Sequence, residues 1–586
     1  MLRENQRKFV DDAKRHALAG KIYFAELPTG YGKTNYVNPV LAIELAEQGK
    51  KVVISTYSNQ LVREIYAAFI DKHKTESKGL KIGIVIGKDN YCDIKKIDDG
   101  FYDFFMDKDK TKKFIKSVNA DTILFDDLFE ACEIAEDLQK TVKDRYKCVN
   151  RDNIAESFDT LDISITNHVF LLSKILRDKE VDYKIIFDEV DRVFSSMEIL
   201  LTSSFSILRF SRLLKELIDR KIKGTSKFKT AYKESLLILK KFSSVKLVGE
   251  YMEPDSVNFK KYANALMKSK KIHFDKKQVE LLKNINAVDL LSEYNELMTI
   301  INNPNNDVTL YYSPVKGYPT IHYLKADIGG TLHNQIWMRV NGCVGISATI
   351  TPLANRFSDK ERNFLFYKLG LMDKIFEDIR VLNLSNKSSF KKTNAKIYLP
   401  DETAPKNNGQ DGIIDKVWIK YVSNVISQTH GGANSLVLVG SFDEANSVFE
   451  HLKALPVNII KATPNRSVAS VVNEFKEKGG ILIGTRNYSI GIDLPGKLLE
   501  KVYIAKFLFP VMNTRYMLDM QKKYGGGSFE VSKNEMYMSL RQSIGRLLRT
   551  ETDKGEIYVL DPRVHEQKYS NAQDILKNYG VIQTNN

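Results

Sequence analysis

Short, continuous apolar runs alternate with amphipathic stretches along much of this chain, the pattern of strands buried on both faces with helices packed over them. Ile22 to Ala25 reads as the first such strand, and Val37 to Ala46, periodic at helical spacing, as the helix after it. The strand pattern recurs at Lys51 to Thr56, Asp162 to His168, Lys184 to Asp191 and Val344 to Thr349. It starts afresh in the last third with Ser435 to Phe442, Gly480 to Thr485 and Lys501 to Ala505, followed by a helix carrying Arg541 to Arg549. The expectation is an α/β protein with two units, each a doubly wound parallel sheet flanked by helices.

Two stretches break the alternation. Residues 87–160 open with Gly87-Lys88-Asp89-Asn90-Tyr91-Cys92 and also hold Cys132 and Cys148. Residues 200–305 turn helical and lysine-rich: Arg220, Lys221, Lys223, Lys227, Lys229, Lys233, Lys240, Lys241 and Lys246 are opposed within their stretch only by Glu234. A charge run is usually a solvated face. With Phe228, Tyr232 and Phe242 interleaved, this one also suits the backbone and bases of a single strand, so Lys227, Lys229 and Lys233 are candidate nucleic-acid ligands. Strand-like segments return at Val308 to Tyr312 and Thr320 to Leu324. The expected organisation is a first α/β unit from 1–86, 161–199 and 306–375, interrupted by insertions at 87–160 and 200–305, and a second unit at 376–586.

Composition narrows the class. A chain of 586 residues is too long for one core, and roughly three to four domains is the prior. Hydrophobic content of 43% with 27% charged residues describes a globular protein, not a disordered one. The start, Met1 to Lys8, lacks the apolar core of a signal peptide, and no apolar run is long enough to span a bilayer, so a cytoplasmic location is expected. The net charge of +15 and pI near 9.2 point to a polyanionic partner, against the plainer reading of lysines that only maintain solubility. Four cysteines in a chain this long do not make a disulfide framework.

The candidate chemistry begins at Glu26-Leu27-Pro28-Thr29-Gly30-Tyr31-Gly32-Lys33-Thr34. A strand, a glycine-rich turn and Gly-Lys-Thr opening a helix form a phosphate-binding loop. Gly30 and Gly32 let backbone N–H groups face phosphate oxygens, Lys33 adds a charge for the β- and γ-phosphates, and the Thr34 hydroxyl can ligate Mg²⁺. Leu27 stands where the strict pattern has its first glycine; what remains, Pro-Thr-Gly-x-Gly-Lys-Thr with Thr29 inside it, is similar to the loop of superfamily 2 helicases. Downstream, Asp188 at an apolar strand's end would hold the Mg²⁺ shell and Glu189 would orient or deprotonate the attacking water. Acids at a strand end are common, but after such a loop they read as its metal site. Upstream, the Gln6 amide is a candidate reader of the adenine edge. Thr56, Asn59 and Asn167 lie at carboxyl ends of strands, where open α/β sheets bind ligands, and are candidate nucleic-acid contacts with Ser441 and Thr485 in the second unit. Ser347 and Thr349 are hydroxyls placed to sense the nucleotide site, or simply to satisfy a strand end. Arg546 and Arg549 share a helix face and, preceded by Gln542, look like arginine fingers.

The order of these motifs resembles the DinG/XPD branch of superfamily 2 DNA helicases. The most specific matches are Gly491-Ile492-Asp493-Leu494-Pro495-Gly496 and Gln542-Ser543-Ile544-Gly545-Arg546-Leu547-Leu548-Arg549, with Thr166-Asn167-His168 and Ser347-Ala348-Thr349 also matching. The resemblance implies two RecA-like motor domains with ATP between them, Gly491 and Asp493 among the ATP-binding residues, an iron–sulfur module at 87–160, a helical arch at 200–305, and 5′-to-3′ unwinding of DNA duplex from a single strand. Two features depart from it. Asp188-Glu189-Val190-Asp191 replaces the usual Asp-Glu-Ala-His, so Asp191 takes the position that couples the nucleotide site to the second domain. A four-iron cluster held by thiolates needs four cysteines, whereas the module has three and Cys343 lies far along the chain, so a cluster is not expected and the module reads as vestigial. In this the chain is similar to the CRISPR-associated DinG proteins of plasmid-borne systems, which implies a CRISPR effector complex as a partner. With the phosphate loop so near the start, no nuclease domain is expected before the motor. An RNA or RNA–DNA hybrid remodeller, and a non-catalytic nucleic-acid-binding adaptor with a dead motor, stay open as alternatives.

Overall fold

The structure is a computed structural model that describes residues 2–27, 30–118, 120–132, 134, 136–148, 158–242, 265–266, 269–285, 287–302, 310–315, 318–324, 328–351, 369–371, 379–383, 394–407, 414–463, 466, 468–489, 492, 494, 496–510, 528–548 and 553–583. In chain order the strands are β1 (Ile22–Glu26), β2 (Val52–Thr56), β3 (Ile82–Ile84), β4 (Tyr91–Asp93), β5 (Thr122–Leu124), β6 (Ile163–Asn167), β7 (Lys184–Asp188), β8 (Thr202–Ser206), β9 (Leu310–Val315), β10 (Tyr318–Leu324), β11 (Cys343–Ser347) and β12 (Ile379–Asn383). They continue with β13 (Ala395–Tyr398), β14 (Ser435–Leu438), β15 (Ile459–Lys461), β16 (Ile481–Gly484), β17 (Lys501–Ile504), β18 (Gly555–Val559) and β19 (Val581–Gln583). The chain divides into two compact units, one of residues 1–196, 333–348 and 371–384, the other of the remainder.

In the first unit seven parallel strands lie in the order β12-β1-β11-β7-β2-β6-β3. Every residue of β1, β2, β7 and β11 is buried, as expected for strands covered on both faces. Gly345 on β11 has a packing reason: a Cβ there would stand 2.3 Å from Phe24 Cδ1 and 2.9 Å from Val190 Cγ2. Without that Cβ, Phe24 packs edge-on to Trp337 at 5.7 Å, and Trp337 in turn meets Phe187 at 5.6 Å, filling the space beneath the turn that follows β7. The insertion after β3 forms its own small core. Antiparallel β4 and β5 and the helices Lys108–Ser117, Phe125–Ala131 and Glu136–Tyr146 surround Phe101, Phe105, Phe125 and Tyr146.

The second unit contains a second seven-stranded parallel sheet, ordered β15-β16-β14-β17-β18-β13-β19. It also contains the lysine-rich segment, where helices Ile207–Asp219, Lys229–Phe242, Lys276–Asn284 and Val288–Asn302 enclose Phe210, Phe228, Phe274 and Tyr294. Two expected boundaries shift. The strands β9 and β10, assigned with 306–375 to the first α/β unit, pair instead with β8 in an antiparallel sheet at the foot of these helices. Strand β12, assigned with 376–586 to the second unit, pairs with β1 in the first. Hydrophobic pattern identifies a strand but carries no information on its neighbour, which long-range pairing decides.

Candidate active site

The phosphate loop leaves β1 and turns through two left-handed glycines, Gly30 at φ 74° and Gly32 at φ 81°. That conformation costs an L-residue about 1–2 kcal/mol, and a Cβ on Gly32 would also stand 3.0 Å from Gln6 Nε2 and 3.1 Å from Tyr36 Cδ2. Gln6, the candidate adenine contact, braces the loop. It is buried, its Nε2 donates to the Tyr31 carbonyl at 2.5 Å, and its Oε1 accepts from Arg3 N at 2.7 Å. Arg3 Nη2 adds bonds to the carbonyls of Gly30 and Tyr31, at 3.2 and 3.1 Å. Thr29 lies outside the described residues. Lys33 Nζ donates to the Leu27 carbonyl at 3.4 Å.

The helix after the loop opens with a wide turn, Lys33–Val37, in which both Tyr36 N and Val37 N donate to the Gly32 carbonyl. Pro39 follows. Having no N–H, it cannot donate to the Asn35 carbonyl four residues earlier. The buried His73 donates to that carbonyl from Nε2 at 2.8 Å, so a side chain from the helix Asn59–Lys72 and its end closes the gap.

The acids lie at the end of β7. Asp188 is buried; Thr56 Oγ1 lies 3.5 Å from its Oδ2, while Oδ1 has no hydrogen-bond partner among the described residues. Burial and the adjacent Glu189 carboxylate push the Asp188 carboxyl well above the usual carboxylate range, opposed by Lys33, Asn38 and Thr56. An orphaned carboxylate oxygen within the field of the phosphate-loop lysine fits a divalent cation, and Asp188 and Thr34 are the residues that would hold Mg²⁺. The metal would supply charge neutralisation of the phosphates. Glu189 itself is left-handed at φ 56°. Ser347 Oγ lies 2.6 Å from Asp191 Oδ1 and 3.1 Å from Glu189 Oε2, so its one proton serves one carboxylate at a time. Asp191 and Ser347, both read as coupling residues, are thus brought together, and Arg192 pairs with the other oxygen of Asp191 at 3.3 Å.

Adjacent residues at the end of β2 face opposite ways. Ser55 Oγ meets His168 Nδ1 at 2.8 Å, and the His168 Nε2 reaches the Glu189 carbonyl at 3.3 Å. Burial pushes the His168 pKa down to about 4, so the ring is neutral at physiological pH. Sequence reasoning gave neither Ser55 nor His168 a role. Thr56, a candidate nucleic-acid contact, is wholly buried, with its hydroxyl turned to Asp188. Asn59 and Asn167 do come together. Asn167 Nδ2 donates to Asn59 Oδ1 at 2.8 Å, Asn59 Nδ2 donates to Asn90 Oδ1 at 2.9 Å, and both remain partly accessible at the sheet's carboxyl edge.

In the second unit Gln542 is buried and donates from Nε2 to Thr349 Oγ1 at 2.8 Å. Arg546 spends Nε and Nη1 on the carbonyls of Ser489 and Ile492, each at 2.9 Å, and so ties its helix Ser528–Leu547 to the turn after β16. Gly491, Asp493 and Arg549 lie outside the described residues. Ser441 is exposed and caps the helix Phe442–Leu452, accepting from Glu444 N at 3.1 Å. Thr485 is buried at the end of β16. Lys227, Lys229 and Lys233 are exposed on the lysine-rich segment, whereas Phe228, read as an interleaved base contact, is a core residue there.

The three cysteines of the insertion are all buried. Cys92 and Cys132 pack into the apolar core of the insertion, while Cys148 belongs to the core of the large sheet. Cys132 has Thr111, Lys110 and Asp107 as electrostatic neighbours, whereas Cys92 has Asp93, Lys96 and Cys148. Burial and Asp93 push the Cys92 thiol up to about 12, and burial also raises Cys132. Among the described residues no group of three or more His, Cys, Asp or Glu side chains is placed to hold a metal.

Two RecA-like parallel sheets, one opening with a Gly-Lys-Thr loop on the same edge as paired acids, make an α/β fold like that of a solved XPD helicase. In sequence the chain is similar to DinG proteins over part of its length. Residues 422–577 match the helicase C-terminal domain family. Over 260 residues the chain is 28% identical to the ATP-dependent DNA helicase DinG of Photobacterium profundum, covering 42% of this chain and 35% of that protein. It is 28% identical over 254 residues to the 3′-5′ exonuclease DinG of Bacillus subtilis, covering 41% of this chain and 26% of that one. The matches thus span about a third or less of these relatives' own length. A solved XPD helicase superposes over 100% of both chains with a TM-score of 0.67 at 15% identity, a likeness of fold. No helix among the described residues is long and apolar enough to cross a membrane.

Proposed function

We propose that the chain is an ATP-dependent DNA helicase that moves 5′ to 3′ on single-stranded DNA and unwinds duplex. The observation that carries this is the convergence, on one sheet edge, of the Gly30–Thr34 loop, the unpartnered Asp188 Oδ1 and the Glu189 carboxylate held near Ser347. Lys33 draws the β- and γ-phosphates into the loop, and Glu189 orients and deprotonates the attacking water. Gln542, Arg546 and Arg549 are the second unit's contribution to hydrolysis, and Asp191, Ser347 and Thr349 couple hydrolysis to movement. Nucleic acid follows Asn59, Asn167, Ser441 and Thr485, with the exposed Lys227, Lys229 and Lys233 on its path. The three-cysteine insertion supports a resemblance to CRISPR-associated DinG proteins, and hence a CRISPR effector complex as partner.

ATP turnover with single-stranded DNA or RNA of equal length, combined with strand displacement on 5′- and 3′-tailed DNA and RNA–DNA hybrid duplexes, tests this reading. DNA-stimulated turnover and displacement from a 5′ tail are expected. Lys33→Ala should abolish turnover and weaken nucleotide binding, whereas Glu189→Gln should abolish turnover and still bind ATP. Stimulation by RNA alone would replace DNA with RNA as the track. No turnover with any polynucleotide would make the chain a binding adaptor.

A further inference from the structure

Glu189 is held where an L-residue resists going. Its backbone is left-handed at φ 56°, a conformation that among the described non-glycine residues only Lys221 shares. Left-handed residues persist when the surroundings hold their peptide groups, and two donors converge on the Glu189 carbonyl. Arg192 N donates at 2.9 Å, from within the same turn. The second, His168 Nε2 at 3.3 Å, comes from another element, the first residue of the helix His168–Arg177. Because a carbonyl only accepts, Nε2 must carry the ring proton, which leaves Nδ1 as the acceptor for the Ser55 hydroxyl at 2.8 Å. Ser55 is wholly buried on β2, and the imidazole also packs against Phe187 with ring centroids 5.7 Å apart. A chain of two hydrogen bonds therefore runs from the middle of the sheet to the peptide that aims the Glu189 carboxylate.

We propose that His168, with its tautomer set by Ser55, is a positioning residue for Glu189, holding the left-handed turn so that the carboxylate meets the attacking water. The proposal rests on the role given to Glu189 above, and it makes Thr166-Asn167-His168 part of the hydrolytic machinery in addition to the nucleic-acid edge. His168 touches neither nucleotide nor water in this assignment. Its effect travels through one carbonyl.

Paired substitutions of similar size separate positioning from packing. In His168→Gln the amide nitrogen falls near the place of Nε2 and can still donate to Glu189. In His168→Asn the shorter amide falls near Nδ1 and cannot. His168→Asn should lower kcat for ATP roughly 10²-fold, the scale of a misplaced catalytic group, with affinity for a non-hydrolysable ATP analogue within about three-fold of wild type. His168→Gln should recover at least about a tenth of wild-type turnover, and Ser55→Ala should lose turnover in the same sense but less. In the Glu189→Gln background, His168→Asn should cause no further loss, because the group it positions is already gone. Amide hydrogen exchange across residues 189–192 supplies a readout independent of turnover: faster in His168→Asn and near wild type in His168→Gln. Equal turnover and equal exchange in the Asn and Gln variants would overturn the proposal, as would a parallel loss of nucleotide affinity. A wild-type protein without ATPase activity would instead refute the proposed function, while the exchange comparison would still decide the positioning role.

Discussion

The wide turn after the phosphate loop makes a quantitative claim about His73. Pro39 removes the N–H that would serve the Asn35 carbonyl, and His73 Nε2 replaces it at 2.8 Å. His73 is 4% exposed, so water does not readily substitute. His73→Phe keeps a ring beside Tyr36, now 6.0 Å away and edge-on, while deleting the donor. Leaving a buried carbonyl unpaired costs about 1–3 kcal/mol, and a domain of this size loses roughly 2–4 °C of Tm per kcal/mol. The first unfolding transition should therefore fall by about 2 to 12 °C. The second half of the argument is a rescue. Pro39→Ala restores a backbone N–H, which should recover much of the loss in the His73→Phe background and give little in wild type, where the carbonyl is already served. Any change in unfolded-chain entropy from removing proline, about 0.4–1 kcal/mol, is common to both backgrounds and cancels in the cycle. Differential scanning calorimetry of the four proteins, with and without nucleotide, measures it. If His73→Phe melts within about a degree of wild type, or Pro39→Ala has the same effect in both backgrounds, the explanation of this turn is wrong.

Two further outcomes are expected. Gly32→Ala places a side chain at φ 81° against Gln6 and Tyr36, and the strain of about 1–2 kcal/mol should weaken binding of a fluorescent ATP analogue by roughly ten-fold; unchanged affinity in equilibrium titration would refute the left-handed loop. Neutralising Lys227, Lys229 and Lys233 together should reduce the slope of log K against log salt for single-stranded DNA by about 0.7 per lost phosphate contact, roughly 2 in all. An unaltered slope would leave these lysines as a solvated face.

How far the sequence could be read is clearest at the end of β2. The strand itself was legible because a parallel strand covered on both faces must be apolar throughout, and Val52, Val53 and Ile54 are. The small polar residues closing it were legible as a ligand-facing edge. Their division of labour was not. Side chains alternate along a strand, so Ser55 and Thr56 necessarily face opposite ways, but only the completed sheet puts His168 on one side and Asp188 on the other. The sequence places Thr56 at the ligand-facing edge without showing that its hydroxyl turns to Asp188. The same limit explains Gln6, whose amide is engaged by backbone more than twenty residues away. Phe228 was misread for a different reason: its spacing among lysines is equally that of a helix's buried face, and the fold uses it so. The phosphate loop and the Asp188-Glu189 pair were legible because their chemistry is local, fixed by glycines and by acids placed at a strand's end. Even there one element was hidden. A left-handed glutamate leaves no mark in a sequence, since nothing in Asp188-Glu189-Val190-Asp191 distinguishes it from an ordinary turn. Its support comes from a buried histidine that precedes it by some twenty residues and binds a carbonyl, the one functional group every residue shares. Side-chain motifs thus announce the reacting groups, whereas the backbone contacts that aim those groups become visible only when the chain is folded.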